Sequence, residues 1–129
     1  MFIIVGAGGH SKVVCSSLNE NDFLDVQIRD DEIQNSEKKF LGKSIHSPAL
    51  PPNMNGAKLH VAIGDNFIRE QILMLGIERG GTETSIVHPS SFIHNIDTVA
   101  DGSFIACGAI VSVDSTVEIG TIINHNNII

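Results

Sequence analysis

The chain has 129 residues, 42% of them hydrophobic, with 8 Lys or Arg against 15 Asp or Glu and a formal net charge of −7. That length holds one ordinary domain or two small ones, and the acidic balance argues against nucleic acid or an anionic membrane as the main partner. Cys15 and Cys107 are too few for a disulfide framework and read as two buried thiols, and no apolar run is long enough to span a membrane.

Met1 runs directly into Phe2 to Val5, a short apolar stretch that reads as a buried strand with no signal peptide before it, so a soluble cytoplasmic protein is expected. Gly6-Ala7-Gly8-Gly9-His10-Ser11 is a turn. Lys12 to Asn19 carries Val13, Val14 and Leu18 on one stripe, which predicts a helix. Phe23 to Ile28 reads as a second strand closed by Asp30-Asp31. Glu32 to Lys43 is polar and charged, an exposed loop, and Ser47 to Asn55 with its three prolines is another connection. Leu59 to Ile63 predicts a third strand, after which Asp65 or Asn66 can cap the helix of Phe67 to Glu78. Gly80-Gly81 ends that helix, and Ser85 to Val87 reads as a fourth strand. Alternating strands and helices imply right-handed crossovers and a small parallel sheet, a Rossmann-like unit over residues 1–86.

Residues 87–129 obey a different rule. Val87, Ile93, Val99, Ile105, Val111, Val117, Ile123 and Ile129 recur every six positions without a miss. Four places after each stands a small or short polar residue, from Ser91 and Asp97 to Thr121 and Asn127. Three places after stand Gly102, Gly108, Asp114, Gly120 and Asn126, types that tolerate a corner with positive φ. A period-two sheet does not explain this pattern, because Asn95, Asp101 and His125 fall where it needs apolar residues. The reading is a left-handed parallel β-helix of eighteen residues per coil, not finished within this chain. Its outward residues sort into columns: Ile86, Phe104 and Ile122; Phe92, Ile110 and Ile128; Thr98 and Thr116. Both apolar columns are expected to be buried against neighbouring subunits and the threonines exposed.

The glycine turn sits between a strand and a helix. Glycines there let the backbone approach a ligand, and a helix N-terminus offers free N–H groups suited to a pyrophosphate. Ser11 stands where a dinucleotide fingerprint needs its third glycine, which disfavours a nicotinamide cofactor. A turn that merely packs strand on helix is the plain alternative. Asp30 and Asp31 after the second strand can reach a ribose or base edge, or form a solvated acidic turn. Gly64, Asp65 and Asn66 face the same rim, and Arg69, one turn into the helix, can contact phosphate or pair with a carboxylate. His10 can touch ligand or carry a proton. No histidine pair has metal-ligand spacing with Cys or carboxylate, so no metal is expected.

Taken in order, Val5-Gly6-Ala7-Gly8-Gly9-His10, Val61-Ala62-Ile63-Gly64-Asp65-Asn66 with Arg69, Ile86-Val87-His88-Pro89 and the hexapeptide coil resemble the NeuD/PglD-type sugar O- and N-acyltransferases over essentially the whole chain. The resemblance implies an acetyl-CoA-dependent acetyltransferase of surface glycan biosynthesis, acting on a nucleotide-activated amino sugar or sialic acid. It implies a sugar-nucleotide site to which Gly6, Gly8, Gly9, Asp30, Asp31, Gly64, Asp65, Asn66 and Arg69 carry over, with His10 near the acceptor. It also implies a homotrimer built through the β-helix, with acetyl-CoA bound between subunits. The family's general base is a histidine that takes a proton from the attacking amine or hydroxyl. Its place falls just beyond Ile129, and His125 comes too early to match it. The expectation is therefore an inactive fragment without its catalytic half. Two further readings are a non-catalytic module that holds a nucleotide sugar and a fragment of an NAD-linked oxidoreductase; the latter is weakened by Ser11 and the coil.

Overall fold

The computed structural model describes residues 1–32 and 38–129. Its centre is a six-stranded sheet in the order β3-β4-β2-β1-β5-β6. β1 (Phe2–Val5) pairs in parallel with β2 (Val26–Arg29) on one side and β5 (Lys58–Val61) on the other. β4 (Lys43–His46) extends the sheet beyond β2, and β3 (Lys39–Phe40) folds back on it antiparallel. β6 (Thr82–Glu83) closes the far edge beside β5.

Side chains alternate across the strands, and the two faces acquire different partners. Ile3, Val5, Leu59 and Val61 pack with Leu50, Met54 and Leu73, the last from α3 (Asn66–Glu78). Ile4, Val26 and Ile28 pack with Val14 and Cys15 of α1 (Gly9–Cys15). The second cluster also takes in Ile86, Phe104 and Ala106, so the coil lies against the same face as α1.

Several sequence boundaries move. The first helix starts at Gly9, inside the glycine turn, and ends at Cys15 rather than Asn19. Asn19 instead caps a second short helix, α2 (Glu20–Leu24), by accepting from the Asp22 amide. Phe23 therefore belongs to that helix and not to a strand. The expected loop of Glu32 to Lys43 contains the β3–β4 turn, where Lys39 and Phe40 pair with Ser44 and Lys43; its positions 33–37 lie outside the described residues. Phe40 is buried, and this supplies the apolar anchor that a polar reading of the segment misses. The expected fourth strand, Ser85 to Val87, belongs to the coil as Ile86–Val87 (β7), and the sheet is completed instead by Thr82–Glu83, where no strand is expected.

The coil has the predicted period. β7, β9 (Phe104–Ile105) and β11 (Ile122–Ile123) stack in parallel with Ile86, Phe104 and Ile122 in register. β8 (Phe92–Ile93) and β10 (Ile110–Val111) stack on the next face, followed by an Ile110–Ile128 bridge, and Val99 bridges Val117 on the third. Amide-to-carbonyl bonds such as Phe104 to Thr121 and Ala106 to Ile123 join successive coils at 2.8 and 2.9 Å. Ile105, Val111, Val117 and Ile123 fill the interior with Ala109. Ile129, the last of the series, is 40% exposed. Gly102, Gly108, Asp114, Gly120 and Asn126 all have φ between +57° and +75°, so the corner residues do what their types allow.

The column assignment needs one correction. Ile86 and Phe104 are 3% and 1% exposed within a single chain, because they and the half-buried Ile122 pack on the sheet and α1. That apolar face is covered by the chain's own α/β layer, not by a neighbouring subunit. The other apolar face is open, with Phe92 60% and Ile128 69% exposed. Cys107 is likewise exposed at a coil corner rather than buried, while Cys15 is buried as expected.

Candidate functional site

A cleft of about 360 Å³ opens over the carboxyl ends of β1, β2 and β5. Strand order reverses here: the chain moves outward from β1 to β2 and β4, then returns to the opposite side as β5. Such a switch point leaves a crevice between loops that diverge in opposite directions. Gly6, Gly8, Gly9, His10, Asp30, Asp31 and Gly64 line it, joined by Ala49, Ile63, Ile68 and Ile72.

The glycines do different jobs. Gly6 has φ +120°, and a Cβ there would lie 2.6 Å from the Ala62 carbonyl oxygen. Its role is close packing of turn on strand. A Cβ at Gly8, Gly9 or Gly64 would meet nothing within 4 Å. Packing does not require glycine at these three places; it leaves the walls of the cleft bare. The first bond into α1 runs from the Lys12 amide to the Gly8 carbonyl at 3.3 Å, so the amides of Gly9, His10 and Ser11 precede the helical ladder. α1 is only seven residues long, which limits its dipole.

Both aspartates fasten the rim. Asp30 accepts from the Ala7 amide through Oδ2 and from the Glu32 amide through Oδ1, each at 2.8 Å. This ties the end of β2 to the glycine turn. Asp31 Oδ1 accepts from the Ala49 amide at 2.7 Å and orders the β4–β5 connection.

Asp65, Asn66 and Arg69 stand elsewhere. Asp65 is the N-cap of α3, accepting from the Ile68 amide at 2.9 Å. Arg69 is 8% exposed and donates to the carbonyls of Ile63, Gly64 and Gly120 and to Asn66 Oδ1. Asn66 and Arg69 line a separate groove of about 490 Å³ between α3 and the coil, with Glu70, Leu73 and Glu118. Burial lowers the Arg69 pKa, opposed by the nearby Asp65 carboxylate.

The sequence offers no context for His60. β5 turns it away from α3, next to Ile4, where its Nδ1 lies 2.9 Å from the Thr84 carbonyl oxygen. Burial pushes its pKa down to about 4, so it is neutral at physiological pH. A neutral ring beside a carbonyl carries its proton on Nδ1 and donates. His10 lines the cleft with Nε2 buried and without a hydrogen-bond partner. Burial, then the Arg69 charge, holds its pKa below the ordinary value. Phe104 connects the two rings, edge-on to His10 at 5.7 Å and to His60 at 6.4 Å between centroids. Alternation along β5 was the only sequence signal that could have placed His60 on this side.

Among the described residues, no three His, Cys, Asp or Glu side chains gather in one place, and no helix is long and apolar enough to cross a membrane.

The fold and cleft define a Rossmann-like α/β unit that runs directly into a parallel β-helix. Residues 1–74 match the family model described as the PglD N-terminal domain, and the chain belongs to that family. No curated protein matches the sequence. Among solved structures, the chain is similar to a mutant of perosamine N-acetyltransferase from Caulobacter crescentus in complex with CoA and GDP-perosamine. That likeness has 27% identity and a TM-score of 0.83, over 99% of this chain and 61% of that one. A second mutant of the same enzyme, with the same ligands, gives 28% identity and a TM-score of 0.81, with the same coverage. The acetyltransferase domain of PglB from Neisseria gonorrhoeae FA1090 in complex with acetyl coenzyme A gives 25% identity and a TM-score of 0.81, over 99% and 63% of the two chains. The chain thus spans about three-fifths of the length of these structures.

Proposed function

We propose that this chain is the sugar-nucleotide-binding part, with the first coils, of an acetyl-CoA-dependent acetyltransferase that acts on a nucleotide-activated amino sugar or sialic acid in cytoplasmic steps of surface glycan biosynthesis. The observation that carries the reading is the bare glycine wall, at Gly8, Gly9 and Gly64, of a cleft at the switch point of the sheet. The structural likeness to acetyltransferases holding CoA and GDP-perosamine supports it. In this reading residues 1–86 take the nucleotide sugar, with its phosphates against the Gly8–Gly9 amides and its sugar toward His10. Residues 87–129 begin the β-helix that binds acetyl-CoA. A general base would remove the proton from the attacking amine or hydroxyl as the acetyl group moves from the CoA sulfur. The open face of Phe92, Ile110 and Ile128 is the surface through which a trimer would form.

Calorimetry of the 129-residue chain with UDP-, GDP- and CMP-sugars tests the reading. Micromolar to millimolar binding of at least one is expected, abolished by Gly8→Phe, a bulky side chain on the cleft wall at a place where a Cβ itself meets nothing within 4 Å. Tight binding of NAD with no sugar nucleotide bound overturns it. A second reading, a module that only holds a nucleotide sugar, predicts the same binding; acetyl transfer by a chain extended through further coils separates the two.

A further inference from the structure

The cleft is lined by the α/β unit, yet two parts of its rim are held by the coil. The first is His10. It sits at the second position of a seven-residue helix, and its buried Nε2 makes no hydrogen bond, so packing alone orients this part of the ring. The packing comes from Phe104, which is 1% exposed and 94 positions away in the chain. Phe104 is in turn in edge contact with His60, whose ring is anchored to the Thr84 carbonyl. The second is the Gly64 turn. Arg69 Nη1 holds the carbonyls of Ile63 and Gly64 at 3.0 and 3.1 Å, while its Nε donates to Gly120 of the coil at 2.9 Å. Both flanks of the switch-point crevice are thus pinned to adjacent coils, one by an aromatic edge and one by a guanidinium.

We propose that the coil sets the binding geometry of the cleft, with Phe104 as the positioning residue that orients His10 toward bound ligand. This rests on the reading of the cleft as a sugar-nucleotide site and adds a specific dependence: binding and coil docking are linked, and each strengthens the other by the same factor. A cleft that belonged to residues 1–86 alone would be indifferent to Phe104 once the fold is preserved.

Leucine is close to phenylalanine in volume and keeps the apolar contact while removing the aromatic edge. In the ligand-free full chain, Phe104→Leu is expected to abolish the ring-current displacement of the His10 imidazole protons and to average its side-chain rotamers in NMR spectra. The amide pattern of β1, β2 and β5 should stay intact. The variant should also bind the tightest of UDP-N-acetylglucosamine, GDP-mannose and CMP-sialic acid roughly three- to tenfold more weakly, the scale of an aromatic pair. In a His10→Ala background the same substitution should change affinity less than twofold, because the effect passes through His10. A purely structural role would weaken binding equally in both backgrounds, and that result overturns the proposal. If Phe104→Leu does not fold, hydrogen exchange of the unaltered chain decides: ligand must slow exchange of the Phe104 and Ala106 amides, and unchanged exchange at saturation overturns the proposal. If none of the three sugar nucleotides binds, the functional reading falls. The positioning claim is then judged on the ligand-free spectra, where an unmoved His10 ring refutes it.

Discussion

Gly76 of α3 and the buried Leu59 of β5 stand so close that a Cβ on the glycine would collide with the leucine Cδ2. The helix lies on the sheet at the distance that glycine allows. In an exposed helix, Gly→Ala gains up to about 1 kcal/mol. Here overpacking reverses the sign, and Gly76→Ala should destabilise by about 1–3 kcal/mol in urea titration. A stabilised variant would mean that Leu59 finds another rotamer at no cost.

Arg69 joins the turn before α3, at Ile63 and Gly64, to Gly120 of the coil, 51 positions further along the chain. Arg69→Met would leave buried carbonyls unpaired, at a cost of about 3 kcal/mol. Arg69→Lys should recover less than half of that, since a single ammonium cannot reproduce the planar fork. Equal stability of the lysine variant and the unaltered chain would show that charge, not geometry, is what matters.

The buried His60 makes stability depend on pH. Its folded pKa of about 4 lies below the ordinary 6.5, so between these values the unfolded chain binds a proton that the folded one refuses. Stability is complete above about pH 6.5 and is lost as pH falls toward 4, by about 3 kcal/mol in all for this shift. His10 is shifted in the same direction and adds to the loss. His60→Gln, which keeps a donor for the Thr84 carbonyl, should flatten the profile over that window. An unchanged profile would assign the acid sensitivity to other groups.

The two apolar columns of the coil should respond differently to charge. Phe104→Asp places a carboxylate in the interior cluster and should unfold the chain, at a cost above about 4 kcal/mol. Phe92→Asp and Ile128→Asp alter exposed positions and should leave the fold intact. If that face carries the proposed trimer, light scattering will show these two variants shifted toward monomer, while Thr98→Asp has no effect. A soluble Phe104→Asp chain with native chemical shifts would refute the burial argument.

Much of this architecture is written locally. The six-residue recurrence from Val87 specifies the coil because each repeat meets the same steric demand: one branched residue inside and one corner with positive φ, as at Gly102, Gly108 and Asp114. The Asp65 cap is local for the same reason, since its carboxylate and the Ile68 amide lie three residues apart. Other features depend on partners distant in sequence. Lys39–Phe40 becomes a strand because Phe40 finds a place in the core. The chain pattern shows that Ile86, Phe104 and Ile122 form a greasy face but contains no record of what covers it; only the packed structure shows that the sheet does. Likewise Arg69 and His60 read as an isolated cation and an isolated histidine until folding brings Gly120 to one and Phe104 to the other. Periodicity reports which side of an element is apolar, whereas the identity of the surface that meets it is set by the competition of all the elements for burial.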